Sequence, residues 1–171
     1  YKGYMIKEYF ANYVLHTSDV TINMKNDSIK VHSPKKDSWK VTLVDTGSDT
    51  MTGGRIKKIK EYLEEDTFLL TYGDGLADVN INSLIKSHNN SGKSVTVTAV
   101  KPPGRFGSLV ISKDNNVLRF QEKIDGENSW INGGFFVVNK KVIDRIDDNA
   151  IWEKEPLESL AKDNELNAYK H

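Results

Sequence analysis

The sequence predicts an α/β layer fold with a mostly parallel sheet, and three observations predict it. Segments with helical spacing alternate with short β-branched or apolar runs. The apolar run Phe68-Leu69-Leu70 stops at Tyr72-Gly73-Asp74-Gly75-Leu76-Ala77-Asp78, and a helical pattern, Ile81-Leu84-Ile85-His88, follows it. Residues Ser94 to Val100 alternate Val with Thr, as a strand does. A carboxylate, Asp74, therefore sits where a buried strand ends and the chain turns toward a helix. Ligands of open α/β sheets collect at that edge. Asp74 is well placed there to hold a hard metal ion against phosphates. The glycines on either side let a bulky ligand approach the backbone.

The elements read in order as follows. Residues Tyr4 to Leu15 carry Met5, Ile6, Tyr9, Phe10, Tyr13 and Val14 at helical spacing. Thr21 to Met24 and Ser28 to Val31 flank Asn26-Asp27, a small hairpin. Trp39, Val41 and Leu43 alternate and predict a strand running to Val44. Thr46-Gly47-Ser48-Asp49 is a loop by composition. Gly53-Gly54 precedes a helix with Ile56, Ile59 and Leu63 on one face and a solvated charge run on the other. A strand from Thr67 to Tyr72 leads into the Gly-Asp-Gly turn. A helix from Asn80 to His88 follows, with Asn80 as its N-cap. After the break Ser91-Gly92-Lys93 come the strand Ser94 to Val100 and the rigid loop Pro102-Pro103-Gly104. Short strands at Ser108 to Ile111 and Val117 to Gln121 are joined by Asp114-Asn115-Asn116. Asn132-Gly133-Gly134 opens the apolar run Phe135 to Val138. Val142 to Ile146 and Pro156 to Ala161 read as helical.

Composition narrows the function classes. The chain has 171 residues, enough for one domain with a real core, and no repeat, low-complexity tract or second domain is visible. Lys plus Arg total 24 and Asp plus Glu total 24, so no basic excess marks a general nucleic-acid binder. With no cysteine, disulfides, thiolate catalysis and Cys-based zinc sites are excluded. That composition suits a reducing, cytoplasmic setting. No apolar run approaches the ~20 residues of a membrane span, and no signal-peptide pattern is present. The chain starts at Tyr1 with a helix already in progress and stops just after a strand start, so both ends read as cut from something longer.

Structural readings stand beside the functional ones. Gly73-Asp74-Gly75 could be a hairpin turn, although the helical pattern after it favours a ligand. Asp78 reads as a turn or helix-start residue rather than a second metal ligand. Gly53-Gly54 could be a plain loop, Lys123 a surface strand lysine, and Gly133-Gly134 a β-bulge. His16, His32, His88 and His171 lack ligand spacing and read as surface or helix residues. Trp39, Trp130 and Trp152 read as packing residues.

Taken in order, several motifs carry a resemblance. They are Tyr1-Lys2-Gly3-Tyr4 with Ile6-Lys7-Glu8-Tyr9-Phe10, Val41-Thr42-Leu43-Val44-Asp45-Thr46-Gly47, Met51-Thr52-Gly53-Gly54-Arg55 and Tyr72-Gly73-Asp74-Gly75. Further along come Pro102-Pro103-Gly104-Arg105-Phe106-Gly107, Phe120-Gln121-Glu122-Lys123 and Ile131-Asn132-Gly133-Gly134-Phe135-Phe136. The chain resembles the sugar-1-phosphate nucleotidylyltransferases over its full length. The stretch from about Asn12 to Trp39 resembles the glucose-1-phosphate cytidylyltransferase branch.

The resemblance implies one nucleotidyltransferase domain over residues 1–171, with a subfamily excursion at about residues 12–39. Its fold would be the Rossmann-like three-layer nucleotide-diphospho-sugar transferase fold, incomplete at both ends. It implies cytidylyl transfer from CTP to glucose 1-phosphate, giving CDP-glucose and pyrophosphate, with Mg²⁺, in deoxysugar and polysaccharide synthesis. It implies a homo-oligomer, a hexamer, and neither nucleic-acid nor membrane partners. By resemblance Asp74 is the metal ligand, and Thr50, Arg55 and Gly73 line the nucleotide. Lys123 is catalytic and meets the sugar phosphate. Glu122 and Asn132 bond sugar hydroxyls, and Gly107 and Gly133 let the sugar ring approach the backbone. Arg55 also follows a glycine pair at a helix start, where free N–H groups favour an anion.

The family's glycine-rich loop would precede Tyr1, and a second metal-binding aspartate would follow His171. These 171 residues alone are therefore expected not to turn over substrate. Two other readings stand. One is a metal-dependent nucleotide-sugar glycosyltransferase, against which Asp74-Gly75-Leu76 lacks the Asp-x-Asp pattern. The other is a non-catalytic nucleotide-binding or assembly module.

Overall fold

The computed structural model describes residues 2–33, 37–101, 108–111, 117–121 and 130–171. The chain divides into two units, Tyr1–Thr50 and Met51–His171.

The first unit holds α1 (Gly3–Ala11), α2 (Tyr13–Thr17) and an antiparallel hairpin of β1 (Asp19–Asn23) and β2 (Ser28–His32). The helix expected from Tyr4 to Leu15 is broken at Asn12. Its side-chain amide donates to the Glu8 carbonyl at 2.9 Å, competing with the helical ladder. The hairpin forms as expected, with Asp27 at φ +50° in the turn, a conformation that Asn and Asp tolerate. The strand expected from Trp39 to Val44 does not form. Alternation alone does not make a strand; a hydrogen-bonding neighbour is required, and among the described residues this segment has none. Nor is Trp39 a buried packing residue: it is exposed, with its ring against Tyr13.

The second unit is built on a four-stranded sheet of order β3-β7-β4-β8, comprising β3 (Thr67–Thr71), β7 (Ile131–Asn139), β4 (Val95–Val100) and β8 (Leu166–Lys170). β3, β4 and β8 run one way, as the α/β reading requires, while β7 runs against them. The sheet is therefore mixed. Between β4 and β7 the chain forms the antiparallel hairpin of β5 (Ser108–Ile111) and β6 (Val117–Gln121). Among the described residues of that segment no crossover helix occurs, and such a helix is what makes neighbouring strands parallel.

Two apolar layers cover the sheet. Phe136 and Val138 of β7 pack with Ile56, Ile143, Trp152 and Leu160 on one face. Val137, pointing the other way by strand alternation, packs with Val79 and Leu84 on the opposite face. The first layer comes from α3 (Thr52–Lys58), α5 (Glu155–Lys162) and a 3₁₀ segment at Lys140–Arg145, where a helix was expected. The second comes from α4 (Ile81–Ser91). Asn80 caps α4 as expected, its side chain accepting from the Ser83 amide at 2.9 Å, and Gly92 ends it at φ +62°. His88 lies on α4 but is buried. Its Nε2–H donates to Asn139 Oδ1 at 3.1 Å and its Nδ1 meets Thr96 Oγ1 at 3.0 Å. It pins helix to sheet.

Gly53 and Gly54 lie inside α3 rather than before it. A β-carbon on Gly53 would stand 2.8 Å from the Ala150 carbonyl oxygen, so packing against the 147–152 turn demands glycine there. Two lysines of the charge run are paired, Lys57 with Asp148 at 2.7 Å and Lys60 with Asp144, and its glutamates are exposed. Among the described residues, no helix is long and apolar enough to cross a membrane.

Candidate functional site

The end of β3 and the start of β7 lie side by side, because the two strands pair antiparallel with Thr71 opposite Phe135. Beyond β3 the Gly75 amide donates to the Tyr72 carbonyl at 3.3 Å, closing a turn that holds Gly73 and Asp74. The chain then runs to α4, so the hairpin reading of Gly73-Asp74-Gly75 does not hold. Asp74 is exposed on this rim, and its carboxylate makes no ion pair with the described residues. Asp78 instead faces His171, with 3.2 Å between Oδ1 and Nε2. No cluster of three metal-ligating side chains exists among the described residues. Among the described residues Asp74 therefore offers a cation a single carboxylate, and Mg²⁺ is commonly held by one or two carboxylates with phosphate and water oxygens.

On the facing strand, Asn132, Gly133 and Gly134 form an irregular stretch. Val97 pairs with Phe136 and Ala99 with Asn132, so β7 advances four residues while β4 advances two. The bulge reading of Gly133-Gly134 is correct. It coexists with a place on the candidate rim. A β-carbon on Gly133 would lie 2.9 Å from Val100 Cγ1 and 3.0 Å from the Thr98 carbonyl oxygen. Contact with β4 therefore demands glycine whether or not a ligand is bound.

A hydrogen-bond chain joins these two strand ends to α3. Asn132 Oδ1 accepts from the Gly134 amide at 2.8 Å, which fixes the amide's orientation. Its Nδ2 donates to Tyr72 Oη at 3.4 Å. The Tyr72 hydroxyl donates to Glu153 Oε1, and Thr52 Oγ1 donates to Glu153 Oε2 at 2.9 Å. The Trp152 amide donates to Thr52 Oγ1 at 2.8 Å. Burial, then the bond to Glu153, pushes the Tyr72 hydroxyl up to about 12. Burial alone would raise the Glu153 carboxyl. The hydrogen bonds it accepts, from Tyr72 first, outweigh this and hold it below its ordinary value. Of these partners only Asn132 is a site residue expected from the sequence; Tyr72 and Thr52 stand in the family motifs without a role and Glu153 in none, because residues 72 and 153 meet only through the fold. The paired glycines at 133 and 134 were the nearest signal.

The other expected site residues fall elsewhere. Thr50 closes the first unit, its hydroxyl donating to the Thr46 carbonyl at 2.5 Å. Arg55 lies within α3, half-buried. The expected free amides ahead of Arg55 are spent: Gly53 and Gly54 both donate to the Ala150 carbonyl, at 2.8 and 3.2 Å. Gly107, Glu122 and Lys123 lie outside the described residues. Trp130 is partly exposed rather than packed in the core, with Lys101 and Lys170 Nζ at 5.1 and 5.3 Å from its ring centre. Gly73, Asp74, Asn132 and Gly133 are thus the expected residues gathered on one rim.

Comparison with known proteins agrees with the motifs. The nucleotidyl transferase family profile matches residues 2–167. The chain is 54% identical to the glucose-1-phosphate cytidylyltransferase of Salmonella typhimurium, over all of this chain and 67% of that protein. It is 42% identical to the probable glucose-1-phosphate cytidylyltransferase of Bacillus subtilis, with the same coverage. The crystal structure of HddC from Yersinia pseudotuberculosis matches with a TM-score of 0.51 at 26% identity, over 72% of this chain and 54% of that one. HddC complexed with GMP-PN matches with a TM-score of 0.57 at 22% identity, over 96% of this chain and 65% of that one, and shows the fold. The chain belongs to the nucleotidyl transferase family, on its glucose-1-phosphate cytidylyltransferase branch.

Proposed function

We propose that this chain carries part of the site of an enzyme that transfers a cytidylyl group from CTP to glucose 1-phosphate, giving CDP-glucose and pyrophosphate. The supporting observation is the shared rim: β3 ends at Thr71 opposite Phe135 of β7 and Asn132 donates to Tyr72, so the Asp74 turn and the Asn132-Gly133 stretch belong to neighbouring strand ends. Two anions must meet in line there. A phosphate oxygen of the sugar phosphate bonds to the α-phosphorus of CTP, the α–β phosphoanhydride bond breaks, and pyrophosphate leaves with the electron pair. No proton or covalent intermediate is required, so positioning and charge neutralisation carry the rate. Asp74 would hold Mg²⁺, which, when bound, offsets charge on the triphosphate.

Thr50, Arg55 and Gly73 are assigned to the nucleotide, and Lys123 to the sugar phosphate. Glu122 and Asn132 are assigned to sugar hydroxyls, with Gly107 and Gly133 beside the ring. The test is calorimetric titration of the chain with CTP, UTP and GTP in the presence of Mg²⁺. CTP is expected to bind at least about ten-fold more tightly than the other two, a difference of about 1.4 kcal/mol. Equal affinity for all three contradicts the cytidylyl assignment.

The working form is proposed to be a homo-oligomer, with the hexamer of the resemblance as its size. None of the described residues of the first unit is buried, and Tyr4, Met5, Ile6, Ile22, Met24 and Ile29 are exposed there. So much apolar surface on a small unit supports the reading of a contact face. Sedimentation velocity is expected to show a mass several times that of the 19.3 kDa chain. A monomer at every concentration contradicts this.

A further inference from the structure

We infer that Tyr72, held by Glu153, is a positioning residue that sets the amide of Asn132 for a sugar hydroxyl pair and ties it to the Asp74 turn. The inference rests on the proposed sugar-phosphate reading and adds to it two side chains with no role so far.

Three independent features hold Tyr72 in place. Its ring meets Phe136 edge-on at 6.2 Å, and Phe136 meets Trp152 edge-on at 5.9 Å, so the ring is rooted in the core. Gly134, at φ +80°, leaves the space the ring occupies, since a β-carbon there would stand 2.9 Å from Tyr72 Cδ2. The hydroxyl is bound to Glu153, which Thr52 also holds.

The direction of the chain follows from its acceptor end. A carboxylate only accepts, so both hydroxyls must donate to it. The Tyr72 oxygen is left as an acceptor, and Asn132 Nδ2–H fills it. The other end of the same amide is fixed by the Gly134 N–H. Asn132 therefore cannot flip without setting an N–H against an N–H. It keeps one N–H and one oxygen lone pair for a ligand, in a fixed order. A donor and an acceptor on one rigid amide suit two neighbouring hydroxyls of a hexose. At 3.4 Å the Asn132–Tyr72 bond is the longest of this hydrogen-bond chain. The Tyr72 carbonyl meanwhile accepts from Gly75 across the Asp74 turn. One residue thus braces the carboxylate through its backbone and the amide through its side chain.

The two roles separate experimentally. Tyr72→Phe keeps the ring and the carbonyl but removes the hydroxyl. Glucose 1-phosphate affinity is expected to fall about ten-fold, while Mg²⁺-dependent CTP affinity stays within about two-fold. The side-chain amide signals of Asn132 in a ¹⁵N-labelled chain are expected to shift without ligand. A loss of structure alone would lower both affinities together. If Tyr72→Phe fails to fold, Glu153→Gln carries the same test, with smaller losses of the same pattern. Unchanged glucose 1-phosphate affinity and unmoved Asn132 signals overturn the inference and leave the proposed function standing. A wild-type chain that binds no glucose 1-phosphate overturns both.

Discussion

Asp74→Ala is expected to abolish the Mg²⁺-dependent part of CTP binding while leaving the ligand-free chain as stable as before. The second half follows from where the residue sits. Asp74 is exposed in a turn and forms no ion pair with the described residues, so its loss removes little that holds the fold together. Surface changes of that kind stay within about 0.5 kcal/mol. The first half follows from charge. A divalent ion bridging a carboxylate and a triphosphate loses its protein anchor when the carboxylate goes, and no cluster among the described residues replaces it. A loss of at least ten-fold in affinity, about 1.4 kcal/mol, is expected in calorimetry with Mg²⁺. With EDTA in place of Mg²⁺, wild type and variant are expected to bind alike. Asp74→Asn retains an oxygen but not the charge and is expected to fall between them. An Asp74→Ala chain with wild-type Mg²⁺-dependent affinity contradicts the assignment.

Gly134→Ala is expected to carry a large stability loss on the rim. Two costs coincide there. The backbone sits at φ +80°, where an L side chain is strained, and the new β-carbon would lie 2.9 Å from Tyr72 Cδ2 and 3.3 Å from Cε2. The ring cannot simply swing away, because Phe136 holds one side of it and Glu153 its hydroxyl. Together the two are expected to cost about 1 to 3 kcal/mol. For a chain of this size that lowers the melting temperature by roughly 2 to 4 °C per kcal/mol. Gly73→Ala is the control, since a β-carbon there meets nothing within 4 Å. Equal melting temperatures for the two variants contradict this account of Gly134.

Local rules made much of the fold legible. Asn80 capping α4, Gly92 ending it and the turn at Asn26-Asp27 each depend on residues a few positions apart, and each forms as expected. Expectations failed where a distant partner decides. Trp39 to Val44 alternates like a strand, but no ladder forms there. Nothing near β7 in sequence says that it returns against β3 and β4. The amides of Gly53 and Gly54 look available to a ligand until Ala150, 97 positions beyond Gly53, takes them. The site divides the same way. The place of Asp74 in a turn beyond a strand end was readable because a glycine-flanked carboxylate after an apolar run is a local pattern. Tyr72, Glu153 and Thr52 were not, because a tyrosine and a carboxylate 81 residues apart carry no sign of their meeting. Gly134 is an intermediate case: its doublet marked a bulge, yet the reason for glycine is the ring of Tyr72.

The central assignment, a metal-bound nucleotide on the rim beyond β3, is tested most directly by paramagnetic broadening. The ¹⁵N-labelled chain is titrated with CTP and trace Mn²⁺ in place of Mg²⁺, and amide signals are followed. The amides of Gly73, Asp74 and Gly75 are expected to broaden first, followed by those of Asn132, Gly133 and Gly134 across the strand pair. Broadening centred elsewhere in the chain, with the signals of residues 73–75 left sharp, would contradict the assignment.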